Sequence, residues 1–340
     1  MDTNGDLQLR GRLDGKALIL MYHGVVKVSS DPWSLSVTPD HFHDHLEVLR
    51  KLTCPVRLQE LVEGLDEKDI LRRAVVITFD DGYANNLYNA KPLLERFEIP
   101  ATLFLSTSYL GEKREFWWDE LERLLLQPGT LPRTLQLRIC GTIHEWHLGE
   151  ADRYEEEFFR RHCSWRAWED PPTPRHSLYV ALRELLRPLR EEDRQSTLMT
   201  LRSWAKSKPE ARASHRALSL DEASELAQGP FIEIGSHTVT HPVLSSLPLA
   251  KQREEIQRSK NYLEELLCQT ISSFAYPYGS ECDYTADTVA LLGEVGFNCA
   301  CSTTPTVVTK DSNRFELPRL QVQDWDGDAF ARQLSLWFDD

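Results

Sequence analysis

Three runs of almost wholly apolar residues constrain this chain more than any other feature: "KALILMYHGV" (16–25), "RAVVITFDDG" (73–82) and "PATLFLS" (100–106). None alternates apolar with polar, so each reads as a strand buried on both faces. Helical spacing fills the gaps between them. "TPDHFHDHLEVLRKL" (38–52) sets Phe42, Leu46 and Leu49 on one side, with Thr38 as N-cap and Pro39 at the first helical position. "ANNLYNAKPLLERF" (84–97) also reads as helix, with an irregularity at Pro92. A βαβαβ rhythm of buried strands predicts a parallel sheet covered on both faces, or a barrel.

The rhythm stops at about residue 111. Residues 111–214 are rich in Arg, Glu and Trp and read as helices, among them 176–189 and 192–206, with "EDPPTPRH" as a break. From about 216 strand and helix alternate again: "FIEIGSH" (231–237), an amphipathic helix over 249–267, "ISSFAYP" (271–277), a helix over 285–296 closed by Gly296, "FNCACST" (297–303) and "LPRLQV" (317–322). The expectation is one α/β domain, 16–110 with 216–335, interrupted by a helical insertion over 111–215.

Net charge of −14 argues against nucleic acid or an anionic membrane as the main partner. The start lacks a basic segment followed by an apolar one, and "ALILMY" is too short to span a bilayer. Seven cysteines without a CxxC pair read as reduced thiols, which points to the cytoplasm. Cys299 and Cys301 fit small buried strand residues better than a metal or redox pair.

Three constellations end predicted strands, the edge where α/β folds build their sites. Asp80 and Asp81 are adjacent carboxylates that repel each other. They are a solvated turn, or a site in which a cation takes one and leaves the other ionised. His237 and His241 in "SHTVTH" are four apart, which in a single helical turn suits one metal, and equally fits two surface histidines. Ser236 is a candidate cap for that turn, and Pro242 opposes its continuation. In "FAYPYG" (274–279), Pro277 and Gly279 force irregular backbone. The Tyr278 amide is a candidate oxyanion donor there, unless the segment is an ordinary turn.

"TFDDG", "SHTVTH" and "FAYPYG", in this order, resemble the first three motifs of the polysaccharide deacetylase family, also called NodB-homology or carbohydrate esterase 4. The resemblance covers roughly 16–110 and 216–335. It implies a distorted (β/α)-barrel of about seven strands and hydrolysis of an N-acetyl group on an amino sugar, releasing acetate. Carried over, Asp80 is the general base, and Asp81, His237 and His241 hold one divalent metal, zinc first, with cobalt, nickel or iron as alternatives. The substrate would be an N-acetylated sugar or glycoconjugate.

Two departures stand out. The family's third motif carries an arginine where this chain has Ala275; Arg319 in "LPRLQV" is the candidate replacement, or a surface ion pair. The fifth motif carries a histidine as general acid, and "LSLWFDD" has none. His23, after the first strand, resembles a permuted form of that motif, or is satisfied by backbone. Asp324 and Trp325 in "VQDWDGD" resemble the fourth motif and, with Tyr276, are candidate substrate contacts. His41, His43 and His45 share one predicted helix and read mostly as a solvated face. Trp117 and Trp118 open the insertion, either stacking on a sugar or packing helices. An insertion leaving from a strand's C-terminal end is expected to wall the pocket. Rival readings are an amidohydrolase of cyclic amides and a non-catalytic glycan-binding relative.

Overall fold

The computed structural model describes residues 15–339. The apolar runs form parallel strands: β1 (Lys16–Tyr22), β2 (Ala74–Phe79), β3 (Ala101–Leu105), β4 (Ile232–Ser236), β5 (Ser273–Ala275), β6 (Cys299–Cys301) and β7 (Leu320–Gln321). Pairing orders them β6–β5–β4–β3–β2–β1–β7. The chain leading into β7 joins the two ends. Leu317 bridges in parallel to Cys301 of β6, and three residues later Leu320 pairs with Leu20 of β1. The sheet is thereby curled into a distorted barrel, as the family resemblance implies.

Alternation along the strands separates two cores. Leu18, Leu20 and Tyr22 of β1 and Val75, Ile77 and Phe79 of β2 face outward. They pack under Phe42, Leu46 and Leu49 of helix Pro39–Leu52, Ile256 and Leu263 of helix Leu249–Leu267, and Phe330 and Leu334 of helix Gly327–Asp339. The intervening residues, Ala17, Ile19, Ala74, Val76, Phe104, Ala275, Cys299 and Cys301, fill the interior. Small residues are required there. A Cβ on Gly235 would meet the Phe104 ring at 2.4 Å. Helix Leu58–Asp66 adds Leu58, Leu61, Val62 and Leu65 to that interior cluster. This helix and Gly327–Asp339 are not anticipated by the strand–helix rhythm. Around Pro92 the expected irregularity is a π-helical turn, Asn86–Ala90, running into α-helix Lys91–Phe97.

The chain falls into two compact units. The barrel unit takes the chain up to Lys27, Leu35–Leu110 and the chain from Leu218; the second takes Gly111–Ala217 together with Val28–Ser34. That short segment lies in the stretch the sequence assigns to the barrel. Trp33 fixes it in the second unit: its indole N–H donates to the Tyr179 hydroxyl at 2.7 Å, and the Arg183 guanidinium lies 3.5 Å over its ring. Helices Trp117–Leu125, Glu156–His162, Pro174–Leu186 and Glu191–Ala205 dominate the second unit. It also holds a hairpin absent from the sequence reading, Thr134–Ile139 with Thr142–His147. Cys140 and Gly141 both have positive φ (49° and 82°) and make its two-residue turn. Among the described residues no helix is long and apolar enough to cross a membrane.

Candidate active site

The inward alternation of each strand runs on past its end. On β1 the set Ala17, Ile19 continues to His23; on β2 Ala74, Val76 continues to Thr78 and Asp80; on β4 Gly235 continues to His237. Because Tyr22 is level with Phe79, and the Asp80 N–H donates to the Tyr22 carbonyl at 3.0 Å, His23 stands beside Asp80. The segment closing the barrel supplies Arg319 from the other side.

Arg319 is buried and donates through both terminal nitrogens to the two Asp80 oxygens, each at 2.7 Å. Its Nε donates to the Ser302 carbonyl at 2.9 Å and its Nη1 also reaches the Thr78 hydroxyl at 3.2 Å, so the guanidinium plane is fixed. Burial alone would raise the Asp80 carboxyl. The Arg319 guanidinium overrides it and holds the pKa at about 2.

Asp81 turns the other way because its backbone is left-handed, φ +74°, followed by Gly82 at +96°. Its Oδ1 lies 3.6 Å from His237 Nε2 and 3.4 Å from His241 Nε2. One potential ligand atom from each of the three residues falls within 4.8 Å of the others, and all three residues are buried. His237 Nδ1 lies 2.7 Å from the Ala275 carbonyl, which only a protonated Nδ1 satisfies. Burial lowers the pKa of this ring, so it is neutral and its Nε2 lone pair faces Asp81. Two imidazole nitrogens and one carboxylate oxygen fit a divalent cation and leave coordination positions for water and substrate.

His241 arrives by a different route from the one its spacing implies. The segment after β4 is not a helical turn: Thr238 and His241 have φ of +66° and +54°. Nor does Ser236 cap it, since its hydroxyl is 2.6 Å from that of Ser259. The Glu255 carboxylate shapes this loop. It accepts from the Val239 and Thr240 N–H groups at 2.9 and 2.8 Å and from the Thr240 hydroxyl at 2.8 Å. The two imidazole centroids still come within 4.8 Å. Glu255 escapes a sequence reading, because there it is one more acid on the polar side of an amphipathic helix.

A family model described as polysaccharide deacetylase matches residues 67–129 and 177–300, more than half of the chain. The chain belongs to the polysaccharide deacetylase family. Among curated proteins it is 30% identical over 112 residues to YxkH of Bacillus subtilis (strain 168), a protein named for the same family. That match spans 32% of this chain and 38% of the relative's length. Among solved structures it resembles the Streptococcus pyogenes deacetylase PplD in complex with acetate, with TM-score 0.57, 17% identity, and 95% of this chain and 99% of that one covered. It also resembles IcaB from Ammonifex degensii, with TM-score 0.57, 18% identity, and 95% and 97% covered. At these identities the likeness is one of fold.

Other residues singled out in this family member's sequence fall in two groups. Tyr278 lies at the site: its ring meets the His241 imidazole edge-on at 4.7 Å between centroids, and its backbone is left-handed, φ +62°. Strained non-glycine backbone thus recurs at Asp81, Thr238, His241 and Tyr278, all around one point. His23 is half-buried and faces Asp80, Arg319 and His237; burial draws its pKa down to about 4 against the pull of Asp80.

The second group is held elsewhere. Tyr276 is fully buried, donates its hydroxyl to the Phe315 carbonyl at 2.8 Å and stacks on Tyr284 at 4.0 Å, so it is a packing residue rather than a substrate contact. Asp324 accepts from the N–H and hydroxyl of Thr38 at 2.7 and 2.9 Å and pairs with His41 at 2.8 Å, which ties it to the start of helix Pro39–Leu52. The Trp325 carbonyl accepts from His45 at 2.7 Å, and its ring packs 5.9 Å from that of Trp337. The expected solvated face is therefore wrong for His45, which is fully buried and stacks on Phe330 at 4.1 Å. Trp117 lies under the Arg194 guanidinium at 5.4 Å and Trp118 stacks on Phe116 at 5.1 Å; both are interior side chains of the second unit. Cys299 and Cys301 are buried free thiols, and burial pushes Cys301 up to about 12.

Proposed function

We propose that this protein is a metal-dependent deacetylase that hydrolyses the N-acetyl group of an amino sugar in a glycan or glycoconjugate intermediate and releases acetate. One observation carries the reading. A buried carboxylate–imidazole–imidazole cluster lies next to a second carboxylate, Asp80, that arginine keeps ionised. Asp81, His237 and His241 would hold the cation, zinc being the best match to two nitrogens and one oxygen. When bound, that cation lowers the pKa of a water molecule and polarises the acetyl carbonyl.

The chain's own groups do the rest. Asp80 accepts the proton of the attacking water, and Arg319 keeps it deprotonated and aimed until then. The Tyr278 N–H donates to the oxyanion as the carbonyl becomes tetrahedral. His23 protonates the leaving nitrogen. Its ring starts neutral, so its proton arrives during turnover. Asp80, once protonated by the attacking water, stands beside it as the source of that proton.

The test is acetate release from a panel of N-acetylated amino sugars and their oligomers, run beside cyclic amides, with and without a chelator. Acetate from the sugars, lost on chelation and restored by zinc, is the expected result. Ring-opening of a cyclic amide without acetate release would move the reading to an amidohydrolase. Inert protein with a full equivalent of bound zinc would overturn it.

A further inference from the structure

The helix that grows out of the Asp80–Asp81 loop reaches back to the strand bearing His23. Asn85 is buried, and Asn89 is half-buried on the π-helical turn Asn86–Ala90. π-turns are rare and concentrate at functional sites. Here the two carboxamides meet one residue, Val25. Asn85 Oδ1 accepts from the Val25 N–H at 2.8 Å, and Asn89 Nδ2 donates to the Val25 carbonyl at 2.7 Å. Val25 lies two residues beyond His23. The same strand end is held on its other side by the Gly24 N–H on the Leu35 carbonyl (2.9 Å) and the Val26 N–H on the Val37 carbonyl (2.8 Å).

We propose that Asn85 and Asn89 are positioning residues: together they clamp the backbone after His23 and so set its imidazole against Asp80. The inference rests on the reading of His23 as general acid. Its physical content is a short rigid path. Asp80 and the clamp share one loop and helix, while His23 and Val25 share one strand end, so base and acid keep a fixed separation. Without the clamp, the segment that leaves β1 after Tyr22 would be tied to the Asp80 side by the strand ladder below it and the Asp80 N–H on the Tyr22 carbonyl. The polarity of the two contacts is opposite, and this makes the proposal specific. Asn85 works as an acceptor and Asn89 as a donor.

The experiment compares full-chain, metal-loaded Asn85→Leu, Asn85→Asp, Asn89→Leu, Asn89→Asp and His23→Gln for kcat, KM, bound metal and the pH profile of kcat. Removing the acceptor (Asn85→Leu) or the donor (Asn89→Leu, Asn89→Asp) should lower kcat about 10- to 100-fold, the range for groups that orient a functional residue from behind. KM and metal content should hold, and the limb of the pH profile assigned to the proton donor should shift. Asn85→Asp keeps an acceptor and should retain more activity than Asn85→Leu. Wild-type kcat in Asn85→Leu and Asn89→Asp, with His23→Gln inactive, overturns the clamp. Equal losses in Asn85→Asp and Asn85→Leu accompanied by loss of metal mark a contact that only supports the fold, and overturn it as well. Full activity in His23→Gln overturns the reading of His23 instead.

Discussion

The carboxylates buried in the second unit and those at the barrel mouth are neutralised by different partners. Glu115 and Glu122 share Arg212, at 2.9 and 2.6 Å, and Glu120 pairs with Arg202 at 3.0 Å and Arg123 at 3.4 Å. Burial raises Glu120 and Glu122 all the same, with the arginines offsetting only part of it. At the mouth, Arg319 grips Asp80 with both terminal nitrogens and holds its pKa at about 2 in spite of burial. Asp81, one residue later, faces imidazole nitrogens instead. A guanidinium completes a carboxylate and supports structure. The two imidazoles bring ring nitrogens to within 3.6 Å of one Asp81 oxygen, and in the proposed function such a cluster takes a cation from outside. Asp80 is the instructive intermediate, an ion pair of structural type placed where the proposed reaction takes its base.

The largest expected effect tests that intermediate. Asp80→Asn removes the base and should cut turnover by about 10³-fold or more, while elemental analysis still finds one metal per chain on Asp81, His237 and His241. Near-normal turnover would remove Asp80 from the chemistry and leave it no different from the second unit's acids. There, Arg212→Leu leaves Glu115 with only the longer Arg123 contact (3.5 Å) and Glu122 with the Gln127 amide (2.6 Å), and should cost about 3 kcal/mol in denaturant unfolding. A loss below about 1 kcal/mol would show that these acids are protonated or hydrated rather than paired.

What the sequence discloses follows the range of the interaction. Local periodicity is enough for the strands that carry Asp80 and His237 and for helix Leu249–Leu267, whose observed bounds match the expected ones. The DDG and HxxxH motifs are compact, so Asp81, His237 and His241 are named from a few residues each. The contact of Arg319 with Asp80 depends on a segment 239 positions away closing the barrel, and no spacing rule states it. Asp324 and Trp325 look like site residues by motif, yet their partners lie on helix Pro39–Leu52, about 280 residues earlier. The hairpin of the second unit was within reach. "TLQLRI" alternates and "CG" can turn, but the Arg- and Glu-rich surroundings read as helix.

Next in size is an effect of pH at a packing histidine, away from the candidate metal cluster. His45 stacks on Phe330, and its Nε2 donates to the Trp325 carbonyl. Burial lowers its pKa to about 4, although that carbonyl and Asp324 favour the charged form. The unfolded ring titrates near 6.5. The unfolded chain therefore takes up the proton first as pH falls. The contribution of His45 to stability is complete above about pH 6.5 and is lost between there and pH 4. Integrated over that window it is about 2–3 kcal/mol. In metal-free protein, the stability difference between wild type and His45→Gln should shrink by that amount from pH 7.5 to pH 4. A difference independent of pH would show that His45 takes up its proton as readily in the fold as in the unfolded chain.

The smallest effect concerns what holds the loop of His241 in shape. Thr238 and His241 are both left-handed, a conformation that costs each of them on the order of 1 kcal/mol or more and persists only where neighbours fix it. Glu255 is such a neighbour, with three hydrogen bonds to the loop from helix Leu249–Leu267. Glu255→Gln preserves size and one acceptor oxygen but removes the charge and one of the two acceptors. The loop should then sample conformers in which His241 leaves the cluster, and zinc affinity should fall about 10- to 100-fold in a competitive chelator titration. The fold should stay intact, because the helix is anchored independently by Ile256 and Leu263. Activity at saturating zinc should recover most of the wild-type value, since Asp80 and Arg319 are untouched. Unchanged zinc affinity would mean that the strand end and Pro242 alone dictate the loop. The arrangement of His237 and His241 would then belong to the local sequence after all.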